Sequence, residues 1–144
     1  MNLLDNDYNN YNGSLGADYS KDKTKFVVWA PNANNVRLAL FTSNEKEYND
    51  SPQEIIEMNR GENGTWNVEV KRDLNKVFYN YLITNNGSER ELTDPYAKAV
   101  GVNGRRGMVL DLKETDPNGF EYDIRPELCS AAGSIVYELH IRDF

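Results

Sequence analysis

Short runs of alternating apolar and polar residues, separated by turn residues, fill the chain from about residue 24 to residue 112. In residues 65–70, for example, Trp66, Val68 and Val70 alternate with polar side chains. This alternation is typical of a β-strand with one face in a core. Comparable runs occur at residues 23–30, 36–42, 54–59, 77–84, 89–92 and 107–112. Because no run shows a helical period, we predict an all-β protein, an immunoglobulin-like antiparallel β-sandwich over residues 21–113.

The two ends of the chain show different patterns. Residues 1–20 are rich in Asn, Asp, Tyr and Gly without any helix or strand period, which predicts a lead-in segment. Proline and glycine punctuate residues 114–134, as is typical of a connector. Residues 135–144 alternate so that one face carries Ile135, Tyr137, Leu139 and Ile141. We predict a strand there that opens a further domain absent from this sequence, since such a strand normally lies inside a covered sheet.

Length and charge narrow the classes of function. A chain of 144 residues suits one domain of ordinary size. Its formal net charge is −7, so it lacks the cationic surface that nucleic acid requires, and an anionic membrane would repel it. A neutral ligand such as a sugar is indifferent to this charge. The first residues form no apolar run that would serve as a signal peptide, so we expect a cytoplasmic location.

Few residues carry obvious chemistry. The single cysteine, Cys129, and the single histidine, His140, cannot form an intrachain disulfide or a zinc site, and we expect neither a metal nor a cofactor. A solvated polar loop is the interpretation favoured for Glu45, Glu47 and Asp50. Trp29 and Trp66 have rings that can stack on sugars. Each lies among the apolar residues of a predicted strand, however, which favours packing in the core.

Three stretches, in the same order along the chain, resemble parts of one enzyme family. Residues 26–33 (FVVWAPNA) resemble the opening of family 48 carbohydrate-binding modules. Residues 94–104 (DPYAKAVGVNG) with 106–111 (RGMVLD) resemble the segment that closes this module in type I pullulanases. Residues 136–144 (VYELHIRDF) resemble the first strand of the (β/α)8 catalytic barrel of those enzymes, which belong to glycoside hydrolase family 13. The resemblance therefore implies an accessory sandwich followed by a stub of a missing barrel.

The resemblance also implies what the parent enzyme does. Pullulanases hydrolyse α-1,6 branch linkages in pullulan, amylopectin and related glucans by a retaining mechanism, with two carboxylates roughly 5 Å apart. In that family the catalytic residues lie beyond barrel strands four, five and seven. The resemblance therefore implies that this chain, which extends only to strand one, contains no catalytic residue and has no glycosidase activity of its own.

A role in glucan binding is one interpretation of the sandwich. Members of the family that bind glycogen use Trp side chains in two loops, which correspond here to residues 41–48 and 85–90. Neither loop contains a Trp. The candidates that remain for weak contact with α-glucan are Tyr48, Asn86 and Glu89.

A structural role beside the catalytic barrel is the competing interpretation. The family places the Asp-Pro-Tyr-Ala segment where the sandwich meets the barrel. The resemblance thus implies interdomain contact by Asp94, Pro95, Tyr96, Val100, Val102 and Met108, with Arg105 and Arg106 at a polar rim. A terminal strand without a neighbour would also favour self-association. An unrelated immunoglobulin-like interaction domain stays open as a third alternative.

Overall fold

The structure is a computed structural model that describes residues 11–42, 51–125, 127 and 130–142. The predictions made for Tyr48, for the carboxylates at positions 45–50 and for Cys129 lie outside the described residues. The chain divides into two compact units, Met1–Glu114 and Thr115–Phe144. The first unit holds all the strands found among the described residues.

Ten short strands and single-turn 3-10 helices make up the regular structure of the described residues. The strands are β1 Gly16–Tyr19, β2 Thr24–Trp29, β3 Asn35–Phe41, β4 Glu54–Glu57, β5 Asn59–Arg60, β6 Thr65–Val70, β7 Phe78–Asn85, β8 Ser88–Leu92, β9 Ala99–Val100 and β10 Gly107–Met108. The 3-10 helices are Glu62–Gly64, Val102–Gly104, Leu112–Thr115, Phe120–Tyr122 and Ala131–Gly133. The all-β prediction is confirmed.

The strands form two antiparallel sheets. A four-stranded sheet has the order β1-β2-β6-β5. The larger sheet has the order β4-β3-β7-β10-β9, and β8 also pairs with β7. β8 pairs with the end of β7 near its hairpin, over Tyr81–Asn85, whereas β10 pairs with Phe78 and Tyr79 at the other end. The two strands therefore lie on the same edge of β7, and the chain between them passes from one end of this edge to the other.

Because side chains alternate between the two faces of a strand, each sheet directs one face of side chains into a common core. Phe26 and Val28 of β2 and Val68 of β6 are buried in the same cluster as Leu38 of β3 and Tyr79 of β7. Each large apolar side chain buried in this way stabilises the fold by about 1.5–3 kcal/mol relative to leaving it in water. Trp66 belongs to this cluster, and its indole N–H donates to the Ala30 carbonyl at 3.1 Å. Its predicted place in the core is confirmed.

A second apolar cluster lies on the outer face of the larger sheet. It consists of Ala39, Phe41, Phe78 and Leu82, with Met108 packed against it. The guanidinium of Arg106 lies 3.6 Å from the centre of the Phe41 ring. The larger sheet is thus buried on both faces near β10, which holds the segment after β8 firmly to the sandwich.

The structure corrects the predictions made for the two ends. β1 pairs with β2 from Gly16 onward, so the sandwich begins before residue 21. A strand of four residues is too short to show a period by itself, and it forms here because the long strand β2 offers it an edge. Residues 135–142 form no strand, and Ile135 is 98% exposed. Alternation marks the face that a strand would bury, but a strand also needs a neighbour to take its backbone hydrogen bonds.

Candidate functional site

The segment of residues 94–113, which we call the edge segment, exposes several large apolar side chains. Tyr96 is 54% exposed, and about half of each of the side chains Val100, Val102 and Leu112 is also exposed. Val100 lies on β9, the outermost strand of the larger sheet, where no further strand pairs with it among the described residues. Apolar exposure of this kind, on a part of the fold that is firmly held, is typical of a contact surface.

A buried carboxylate holds the start of the edge segment in place. Asp94 is only 3% exposed, and its Oδ2 accepts hydrogen bonds from the hydroxyls of Tyr79 at 2.8 Å and Tyr81 at 3.2 Å. Its Oδ1 accepts the backbone N–H of Tyr96 at 2.8 Å. A buried charge is tolerated only when hydrogen bonds replace the water that it has lost, and these three bonds do so. The side chain of Asp94 therefore serves the sandwich, which corrects its predicted role as an interdomain contact.

The same cluster has an electrostatic consequence for its two tyrosines. Burial, followed by the negative charge of Asp94, raises the pKa of Tyr79 well above its usual range. The pKa of Tyr81 is raised for the same two reasons. Both hydroxyls consequently stay protonated and able to donate to Asp94 at neutral pH.

The two arginines of the edge segment differ in their placement. Arg106 is buried against Phe41, so its predicted place on a polar rim is corrected. Arg105 is exposed, and its backbone carbonyl accepts hydrogen bonds from Asn80 Nδ2 at 3.0 Å and from Thr93 Oγ1 at 2.8 Å. These two bonds fasten the returning half of the segment to β7 and to the residue that follows β8.

Gly107 shows how closely the edge segment lies on the core. A β-carbon at this position would lie 2.9 Å from the Tyr79 ring, so a larger residue would push the strand away. Met108 follows, half-buried against the outer cluster. Of the predicted contact residues, the structure thus leaves Pro95, Tyr96, Val100, Val102 and Arg105 exposed.

A groove of about 180 Å³ runs between the edge segment and β1, with Tyr19, Lys98, Met108 and Leu112 among its lining residues. The Tyr19 hydroxyl donates to Asp73 Oδ1 at 2.9 Å. Desolvation, followed by this hydrogen bond, raises the pKa of Tyr19 to about 12. The groove is therefore lined by both apolar and charged side chains, beside a phenol that is neutral at physiological pH.

The hairpin between β7 and β8 carries another groove, of about 370 Å³. It is lined by Ile83, Asn85, Asn86, Ser88, Arg90 and Leu92. Asn86 and Gly87 have φ values of 50° and 77°, which indicate the type I′ turn typical of two-residue hairpins. The backbone N–H of Asn86 donates to Asn34 Oδ1 at 2.9 Å, which fixes the turn against the loop that precedes β3.

The predicted sugar-contact residues do not share one surface. Asn86 lines the hairpin groove, whereas Glu89 is paired in register with Thr84 and lies on the opposite face from Arg90. Glu89 forms an ion pair with Arg37 at 2.5 Å and accepts a hydrogen bond from Thr84 Oγ1 at 3.3 Å. Its carboxylate is thus already engaged within the sheet. Tyr48, the third candidate, lies outside the described residues.

Trp29 is a residue that the sequence pattern misassigned. It is 42% exposed, so the prediction of core packing is wrong for this tryptophan. The signal was present in the alternation, because Phe26 and Val28 take the core face of β2 and leave Trp29 on the other.

The described residues offer neither a cluster of metal ligands nor a membrane-spanning helix. Across the described ranges, no three or more His, Cys, Asp or Glu side chains come together in a way that could hold a metal ion. Those ranges also contain no helix with the length and apolar character needed to cross a membrane.

Comparison with known proteins gives one family match. Residues 14–97 match the family described as Carbohydrate-binding module 48 (Isoamylase N-terminal domain). This range begins just before β1 and ends within the edge segment. The match removes the alternative of an unrelated immunoglobulin-like domain.

Curated relatives with this similarity are much longer proteins. The chain is 37% identical to a pullulanase of Bacillus subtilis (strain 168) over 137 residues, covering 93% of this chain and 17% of the relative. It is 30% identical to the chloroplastic pullulanase 1 of Arabidopsis thaliana over 144 residues, covering 93% of this chain and 14% of the relative. The chain therefore spans only a small part of the curated relatives that it matches.

Solved structures agree in fold with this chain. A pullulanase from Bacillus acidopullulyticus superposes with a TM-score of 0.86 at 42% identity, covering 96% of this chain and 17% of that one. A pullulanase from Paenibacillus barengoltzii, solved in complex with maltohexaose and α-cyclodextrin, gives a TM-score of 0.86 at 36% identity. This match covers 99% of this chain and 22% of that one. The chain belongs to the family of carbohydrate-binding module 48 domains.

Proposed function

We propose that this chain is a non-catalytic accessory domain of a pullulanase-type enzyme, and that it braces the catalytic domain through the exposed side of the edge segment. Relatives named as pullulanases support this proposal, because the chain aligns along nearly its whole length with a small part of each of them. The substrate of the parent enzyme would be an α-glucan with α-1,6 branches. Hydrolysis would take place in a part of the parent enzyme beyond the matched region.

The exposed apolar row of the edge segment is the observation that carries the proposal. Tyr96, Val100 and Val102 are about half exposed, yet the backbone that holds them is tied to the buried Asp94 and to β7. A surface that is rigid before binding loses little conformational entropy when it docks. Burying such side chains against a neighbouring domain would then stabilise both partners.

A weaker contact with α-glucan is the second part of the proposal, and the hairpin groove supports it. Asn86, Ser88 and Arg90 offer polar groups, and Ile83 and Leu92 offer apolar ones. No aromatic ring is among the described residues that line this groove. Aromatic platforms supply much of the affinity of a sugar site, so contact here would be weak without one.

A joined protein tests the bracing role. The chain is placed before the region of the Bacillus acidopullulyticus pullulanase that follows its matched segment, and the thermal midpoint of the joined protein is measured. We expect a midpoint several degrees above that of the downstream region alone. The double substitution Tyr96→Ser with Val102→Ser should remove most of this gain.

Ile55→Ser is the matched control, because Ile55 is an exposed apolar residue of β4, outside the edge segment. This control should keep the gain in thermal midpoint. Equal midpoints for the double variant, the control and the unsubstituted joined protein would contradict the bracing role.

A further inference from the structure

Trp29 lies apart from the surfaces described so far. It ends β2 of the four-stranded sheet, whereas the hairpin groove belongs to the larger sheet. Trp29 is 42% exposed, while Trp66, the other tryptophan of the chain, is 6% exposed. A large aromatic ring kept on the surface of a sheet needs a reason, because burial of the same ring would stabilise the fold.

The ring of Trp29 is held in one orientation. Its indole N–H donates to the backbone carbonyl of Asn63 at 3.0 Å. Asn63 lies in the 3-10 turn Glu62–Gly64 with a φ of 53°. That turn is itself fixed, since the Ala30 N–H donates to the Gly64 carbonyl at 2.9 Å and Thr65 Oγ1 donates to the Glu62 carbonyl at 2.7 Å. The indole is therefore positioned before any ligand arrives.

An amide side chain lies against the same turn. Thr65 of β6 is directly opposite Trp29, and Asn67 follows two residues later on the same outer face, opposite Asn59 of β5. A β-carbon at Gly61 would lie 2.9 Å from Asn67 Nδ2, so the glycine leaves the space that this amide occupies. Diagonal neighbours on a sheet are about 7–8 Å apart between α-carbons, which suits contacts to one short oligosaccharide.

We propose that Trp29, Asn67 and Asn59, which we call the Trp29 platform, bind neutral α-glucan. The apolar face of a glucose ring would stack on the indole, and its hydroxyls would exchange hydrogen bonds with the two amides. Sites for small polar ligands commonly combine an aromatic face with a few polar groups, and the Trp29 platform offers both. The inference rests on the carbohydrate-binding part of the proposed function and adds a site on the other sheet.

The two tryptophans provide the test within one molecule. The 144-residue chain is labelled with ¹⁵N and titrated with a linear maltooligosaccharide, and its two indole N–H signals are followed. Trp29→Phe identifies the signal of Trp29. We expect the Trp29 signal to shift with saturation and the buried Trp66 signal to stay in place. Saturable shifts confined to the hairpin groove would overturn the proposal.

Substitutions measure how much individual side chains of the Trp29 platform contribute to the affinity for maltooligosaccharide. Trp29→Ala should weaken binding by about fivefold or more, since aromatic contacts of this kind contribute on the order of 1 kcal/mol. Asn67→Ala should weaken it by about threefold, as expected for one hydrogen bond at an exposed site. Ile55→Ala, on the larger sheet, should leave the affinity unchanged. An unchanged Trp66 signal shows that each variant is folded.

Two further outcomes separate this inference from the bracing role. Failure of the chain to bind maltooligosaccharide at millimolar concentration would overturn the platform and leave the thermal gain of the joined protein untouched. Loss of acrylamide quenching of Trp29 in the joined protein, relative to the chain alone, would show that protein covers the ring. That result would also overturn the platform, because a covered ring cannot stack on sugar.

Discussion

The edge segment and the β7–β8 hairpin border the same strand, yet they are held in different ways and expose different chemistry. The edge segment is tied to the interior by Asp94 and by Arg106 stacked on Phe41, and it exposes apolar side chains. The hairpin is held by strand pairing and by the surface ion pair of Arg37 with Glu89, and it exposes a groove lined by both polar and apolar side chains. Buried anchoring with apolar exposure suits contact with protein, whereas a groove of mixed polarity suits solvent or sugar.

The largest expected effect comes from removing the buried anchor. Asp94→Ala leaves two buried tyrosine hydroxyls without their acceptor, and we expect the free energy of unfolding to fall by about 3 kcal/mol. Urea unfolding followed by tryptophan fluorescence measures it. Asp94→Asn keeps an acceptor oxygen and should lose less. Equal stability of Asp94→Ala and the unsubstituted chain would show that the edge segment is not anchored in this way.

High pH should weaken the same anchor. The pKa values of Tyr79 and Tyr81 are raised in the folded chain above the ordinary tyrosine value of about 10. Because each pKa is higher in the folded chain than in the unfolded chain, the two protonated hydroxyls stabilise the fold fully below about pH 10. This contribution to the free energy of unfolding is lost as the pH rises above that value. The free energy of unfolding should fall by up to about 1.4 kcal/mol per pH unit for each tyrosine.

Tyr81→Phe separates this effect from general alkaline unfolding. The variant removes one of the two titrating hydroxyls, so its stability should fall less steeply above pH 10 than that of the unsubstituted chain. Urea midpoints measured from about pH 8 to about pH 11.5 give the slope of stability against pH for each protein. Parallel slopes would exclude Tyr81 as a source of the pH dependence.

Arg106 should contribute less than Asp94. Arg106→Ala removes a guanidinium that lies 3.6 Å from the Phe41 ring centre and uncovers part of the outer cluster. We expect a loss of about 1–2 kcal/mol, from cation–π contact together with packing of the aliphatic stem. Arg106→Lys keeps the charge without the planar stacking and should recover only part of the loss in urea unfolding.

The hairpin ion pair should show the smallest effect, which sharpens the contrast with the edge segment. Glu89→Gln breaks the pair with Arg37 and should cost about 0.2–1 kcal/mol, as is usual for exposed pairs. Salt should screen the difference between the variant and the unsubstituted chain. A loss as large as that of Asp94→Ala would remove the distinction between the two regions.

Alternation along the chain was sufficient to predict the sandwich and most of its strands, because each long strand buries one face. It could not reveal β1, which exists through pairing with β2. It also predicted a strand at residues 135–142, which have an alternating pattern but form no strand. Their identity as the first barrel strand stays a prediction.

The candidate site was harder to predict because burial depends on contacts that are distant in sequence. Asp94 looks like a surface residue in the sequence, but Tyr79 and Tyr81 reach it from the core face of β7. Arg106 is drawn inward by Phe41, which is 65 positions earlier (106 − 41). Trp29 is the reverse case, since a residue typical of cores is left outside by its place on the outer face.

Solvent exposure in the joined protein shows whether the edge segment docks on the catalytic domain. Hydroxyl-radical footprinting compares the 144-residue chain alone with the same chain joined to the downstream region of the Bacillus acidopullulyticus pullulanase. We expect Tyr96 to become protected on joining, while Trp29 keeps its reactivity. Equal reactivity of Tyr96 in the two proteins would contradict the claim that the edge segment docks on the catalytic domain.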